Sequence, residues 1–181
     1  MRLVTFSARS FTEQLSAALD NPCRETDSYL PMSLREWFWG SPRSRAIDLL
    51  VSVAARYGIL IAKLKNHAAM CKYPTIRAGL EGLAATEEAQ AEILGQFIAT
   101  EGRSFIAQPI MQFEGANNWR RLKADLTLQA QMLGDLNQAI VLLDGHDHHA
   151  AAKLRALASN EERNLGDLRG LVLKCDTQAL D

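Results

Sequence analysis

Between Pro42 and Leu173 apolar residues recur at spacings of three and four, and proline falls only at Pro42, Pro74 and Pro109. A proline inside a helix removes a backbone donor and clashes with the preceding turn, so these positions mark ends rather than interiors. Almost nothing between them alternates as a strand would. The pattern predicts four long helices, at about 42–69, 75–100, 118–144 and 147–173. Ser41 is the candidate cap of the first, with Pro42 at its first helical position. Ser10 with Glu13, and Ser33 with Glu36, have the form of capping boxes. Residues 1–40 are therefore expected to be a short helical segment packed on a bundle formed by 41–181.

The connections constrain the topology more than the helix count does. "CKYPT" and Asp144-Gly145 are tight links, whereas "EGRSFIAQPIMQFEGANN", with Gly102, Pro109 and Gly115, is long. A long structureless link is unusual in a compact domain unless it has to cross it. Tight, long, tight predicts an all-α four-helix bundle of two antiparallel hairpins joined by a long crossover.

The second helix of each expected hairpin carries the same frame, "LEGLAATEEAQ" from Leu80 and "LRALASNEERN" from Leu154. Glu87 and Glu161 come seven residues after those leucines, two helical turns on, and so share the apolar face. With the hairpin–crossover–hairpin layout, these frames make the chain resemble the ferritin-like, rubrerythrin-like four-helix-bundle superfamily. That resemblance implies a Glu-x-x-His on the second helix of each hairpin and a facing Glu on the first, six ligands for two metal ions. Glu87 and Glu161 match the motif's acid, but its histidine positions are held by Gln90 and Asn164, poor ligands beside imidazole.

Reflection through the hairpin loops locates the facing positions. Glu87 falls opposite the stretch from Ala55 to Ile59, and Glu161 opposite Ala130, with no acid in "VAARYGILI" or "TLQAQML". Asp125 and Asp135 lie about five residues from Ala130, ~7 Å along the axis. The resemblance is thus to a bundle with a degenerate metal site. Glu87 and Glu161 are expected to point inward and approach one another, with Arg56, Tyr57, Gln129 and Gln131 as available donors. If a metal does bind, Glu87, Glu161, Gln90 and Asn164 are its candidate ligands and iron or manganese its candidate identity. Otherwise no cofactor is expected.

His146, His148 and His149 in "GHDHHAAAK" form a second metal candidate. Neighbouring helical residues diverge, however, and Asp147 suits a helix start. His67 reads as a charge at a helix end or a surface residue, and Met70, Met111 and Met132 as core or crossover filler. Trp37, Phe38 and Trp39 in "REWFWG" cannot all face one core, which makes them a candidate interface. Arg43 with Arg45, and Arg120 with Arg121 and Lys123, read as solvated helix starts.

Charge is balanced, with 20 Lys and Arg against 21 Asp and Glu, so no field favours nucleic acid or an anionic membrane. Cys23, Cys71 and Cys175 are too scattered for a disulfide framework or zinc knuckle and suit a reducing cytoplasm. Cys71 lies four residues after His67, without a third orienting group in view. No phosphate loop, nucleophile elbow or dinucleotide fingerprint occurs. The expectation is a cytoplasmic, non-enzymatic bundle acting by protein–protein or self association, most simply as a homodimer. A metal-dependent oxidoreductase with altered ligands is the alternative, which keeps an enzymatic role open. A small-molecule binder between the hairpins is a further one.

Overall fold

The oxygen of Ser41 accepts from Ser44 N at 3.1 Å, and Pro42 opens a 29-residue helix, α1, Pro42–Met70. In the computed structural model, which describes residues 41–104 and 117–175, three more helices follow. They are α2 (Pro74–Thr100), α3 (Asn118–Asp144) and α4 (His148–Lys174), of 27 residues each. At ~1.5 Å per residue each is about 40 Å long. Asn117 caps α3 by accepting from Arg120 N at 3.0 Å, and Asp147 caps α4 by accepting from Ala150 N at 2.9 Å. The chain before Ser41 lies outside the described residues, with its two capping boxes, Cys23 and the Trp37–Phe38–Trp39 run. So does Met111.

α2 has no side-chain cap at its start. Arg77 instead reaches back to the carbonyl of Cys71, at 3.1 Å from Nε and 2.6 Å from Nη2, and ties down the tight turn. At its other end Gly102 adopts φ +68, with Gly102 N to Ala99 O at 3.0 Å and Arg103 N to Ile98 O at 3.2 Å. This is a Schellman stop, which needs a residue free to enter the left-handed region.

α1 packs against α2 and α3, and α4 packs against α3 and α2. The direction of each helix follows from its end contacts. Arg43 at the start of α1 pairs with Glu101 at the end of α2 (2.8 Å) and with Asp147 at the start of α4 (3.2 Å). Asn118 at the start of α3 meets Cys71 at the end of α1, Nδ2 to Sγ 3.5 Å. Neighbouring helices are therefore antiparallel, and the α2–α3 connection joins opposite ends of the bundle. The expected two hairpins and crossover are what is observed.

The core is the stripe each helix was expected to bury: Leu50, Leu60 and Leu64, Leu80 and Leu94, Met132 and Leu136, Leu168. Two surface assignments and one core assignment change. His67 is 1% exposed, and Arg121 is also buried. His67 continues the stripe Tyr57–Leu60–Leu64 at the next three-residue step, so its position on the helix outweighs its polarity. Met70, expected as filler, is 46% exposed because it falls one residue off that stripe at the helix end.

Candidate functional site: a buried carboxylate pair

Half-way along the bundle all four helices contribute a polar side chain to the core. Glu87 and Glu161 are 0% and 1% exposed, and Tyr57, Gln90, Gln129 and Asn164 are buried around them. The reflection argument pointed to Ala55–Ile59 and to Ala130; Tyr57 lies within the first stretch, but Ala130 is exposed and the buried residue is its neighbour Gln129. In each case an uncharged donor stands where the resemblance implies an acid.

The hydrogen bonds follow from that substitution. Gln129 Nε2 donates to both carboxylates, at 2.6 Å to Glu87 Oε1 and 3.3 Å to Glu161 Oε2. Asn164 Nδ2 donates to Glu87 Oε1 at 3.1 Å. The Tyr57 hydroxyl donates to Glu161 Oε1, with Gln90 Oε1 3.3 Å from the same hydroxyl. A phenol has one proton, so the charged acceptor takes it and the Gln90 contact is the weaker. Three of the four carboxylate oxygens thus receive a donor. The fourth, Glu87 Oε2, receives none, and Gln90 Nε2 and Gln129 Oε1 are also buried without a bond. Arg56, a further expected donor, turns away to Asp135 at 2.5 Å, and Gln131 is exposed.

Electrostatics agree with the geometry. Burial first, then the charge of Glu161 and a hydrogen bond with it, push the Glu87 carboxyl up to about 9, against a smaller opposite pull from Asn164. Burial, and next the neighbouring Glu161, raise Tyr57 far above the usual phenol range, so it stays a donor.

These residues do not suit the two divalent ions that the resemblance implies. Ligand oxygens must present lone pairs to a cation, yet here those lone pairs face N–H and O–H donors from three helices. Two carboxylates would also leave two such ions largely uncompensated in an apolar core. Among the described residues no group of three His, Cys, Asp or Glu side chains is placed to hold a metal ion.

The other candidates lie elsewhere. His146, His148 and His149 are exposed around the α3–α4 turn, with His148 Nδ1 3.2 Å from Asp144 Oδ1. One buried pair was not anticipated: His67 Nδ1 lies 2.6 Å from Asp125 Oδ2, fastening α1 to α3. The signal was a polar residue in register with the leucines on each helix, Asp125 between Leu122 and Gln129. Cys71 is buried, its thiol directed at Tyr73 O (3.7 Å), and the Cys175 thiol is directed at Leu171 O (3.4 Å). Between the hairpins, α2 and α4 leave a shallow groove of about 260 Å³ lined by Ile93, Phe97, Thr100, Lys153 and Leu157.

No family model matches the chain, and no curated protein matches it. Among solved structures it is similar to a mutant of Dps1 from Mycobacterium smegmatis, with a TM-score of 0.60 and 18% identity. That match covers 72% of this chain and 97% of the other. The fold is ferritin-like. At this identity the likeness concerns the path of the backbone, and the ferritin-like bundle here carries its own set of side chains at mid-height. No helix among the described residues is long and apolar enough to cross a membrane.

Proposed function

We propose that this chain is a ferritin-like bundle which has exchanged a di-metal centre for a hydrogen-bonded carboxylate pair and works by association rather than by oxidation chemistry. The observation that carries the reading is the Gln129 amide, which donates to both Glu87 and Glu161 from the place a ligating acid would hold. The bundle keeps its packing because the leucine stripes do not depend on a metal. Association is the use we favour for such a bundle, and a homodimer through the Trp37–Phe38–Trp39 run is its simplest form. The scattered cysteines Cys23, Cys71 and Cys175, which form no spacing pattern for a disulfide framework, support a reducing, cytoplasmic setting.

The test is metal analysis of protein purified without chelators, alongside sedimentation with native and Trp37→Ala/Trp39→Ala chains. Metal well below one ion per chain, and a dimer weakened by the double substitution, are the expected results. Near-stoichiometric iron, manganese or zinc would overturn the first half of the reading, and a monomer at high micromolar concentration the second.

A further inference from the structure

We propose that the α2–α4 face of the bundle is a docking surface for a second copy of this chain. The two copies are related by a two-fold axis parallel to the helices, and Ile93 of each enters the groove of the other. The proposal rests on the association reading above, but it places the contact on residues separate from Trp37–Phe38–Trp39.

α2 and α4 are the least closely packed of the neighbouring helix pairs. At one end they approach because Gly79 has no side chain: a Cβ there would lie 2.7 Å from Leu171 Cδ2. The other end holds the groove of about 260 Å³, with Leu94, Phe97, Leu154 and Leu157 among its lining residues. Ile93 stands on its rim and is 57% exposed. The outer side of α2 continues the groove as an uncharged row. Gly82, Ala85, Ala89, Ile93 and Gln96 follow one another at steps of three and four, and all are exposed. A solvated helix face ordinarily carries charge. Here, instead, small side chains leave room for another helix to lie close, since interaxial distance is set by the residues at the contact.

The charges that border the row identify its occupant. On the α1 side stand the exposed acids Glu81, Glu88 and Glu92, with Glu88 reaching Lys65 of α1 at 2.5 Å. Arg77 on that side is engaged by the Cys71 carbonyl. On the α4 side stand Lys153, Arg163 and Lys174, all exposed, against Asp167. Gln96 Nε2 donates to Glu92 Oε1 at 3.4 Å, but among the described residues Glu92 meets no cation and Lys153 no carboxylate. One border is acidic and the other mainly basic, so the face is complementary to itself.

Complementarity also fixes the orientation. An axis parallel to α2 lays the acidic border of one copy over the basic border of the other at the same height. An axis perpendicular to α2 would set acid against acid and base against base, which disfavours it. Glu87 and Glu161 are level, since Gln129 donates to both, and α2 and α4 run in opposite directions. Glu92 lies five residues beyond Glu87 and Lys153 eight before Glu161. Glu92 of one copy therefore comes within about 4.5 Å, along the axis, of Lys153 of the second copy. Ile93 lies at the height of the groove in both copies.

Sedimentation of the full chain at up to high micromolar concentration tests the contact, with circular dichroism to confirm retained helix. Ile93→Glu puts a charge into the apolar contact without touching the core, and is expected to weaken association at least about tenfold. Glu92→Lys and Lys153→Glu should each weaken it several-fold, more at low salt than at high. Combining the two exchanges the partners, and association is expected to return to within about twofold of native. Association unchanged by Ile93→Glu would overturn the proposal, as would a charge exchange no better than its single changes. A monomeric native chain would overturn both this contact and the association reading. Association lost in Trp37→Ala/Trp39→Ala but kept in Ile93→Glu leaves that reading standing and defeats this surface. The reverse result upholds this surface and defeats the tryptophan contact.

Discussion

Tyr57 and Gln129 decide what the centre of this bundle can do, because each supplies a donor where an acid would supply a lone pair. Tyr57→Phe keeps the ring packing but leaves Glu161 Oε1 without its partner. A buried acceptor left unsatisfied costs about 1–3 kcal/mol, which urea unfolding at pH 7 should register as a lower midpoint with unchanged slope. Gln129→Leu strips a donor from both acids, and a loss of about 2 kcal/mol or more is expected in the same measurement. If both variants unfold at the native midpoint, the hydrogen bonds of the site contribute nothing net. Leucine registers alone indicated that something polar lay at these positions. Which acceptor each side chain meets depends on residues 32 to 104 positions away in the chain.

At the scale of the helices, ends carry more local information than middles. Ser41, Asn117 and Asp147 cap through their own side chains within three residues; the sequence pattern marked Ser41 as a cap and Asp147 as suited to a helix start, and Asn117 is added by the structure. Gly102 stops α2 through a left-handed conformation, and Gly102→Ala should cost about 1 kcal/mol, lowering the melting temperature by about 2–4 °C. Ser41→Ala removes a cap of similar worth, about 1 kcal/mol. Calorimetry that shows no shift for Gly102→Ala would mean that another residue carries the stop. The middles differ because a face is buried only once a partner helix arrives. His67 shows this: nothing in its neighbours names Asp125, 58 residues on, as its partner.

For the whole molecule, two sets of groups bound the pH range of stability. Hydrogen bonds from Arg155 and then His148 hold Asp144 below its ordinary value near 3.8. The Ala150 backbone N–H, with Arg43 beside it, does the same for Asp147. Depressed carboxyls stabilise the fold above their ordinary range and stop doing so as pH falls through it. Glu87 acts in the opposite sense on the alkaline side. Thermal melting from pH 3 to 10 should therefore peak near pH 5 and decline toward both ends, the alkaline arm disappearing in Glu87→Gln. A plateau extending to pH 9 in the native chain would contradict this.

Helix number, boundaries within a residue or two, the tight and long links and the mid-bundle level of Glu87 and Glu161 were legible from the sequence. Periodicity, proline and capping are local properties, and a hairpin's register follows from counting outward from its loop. Only the tertiary structure decided that Gln129 serves both acids at once, that Glu87 Oε2 is left without a donor, and that His67 and Arg121 are interior. Those outcomes depend on four helices meeting at fixed distances, where a displacement of one helix by a single turn, about 5.4 Å, would give every one of these groups a different partner.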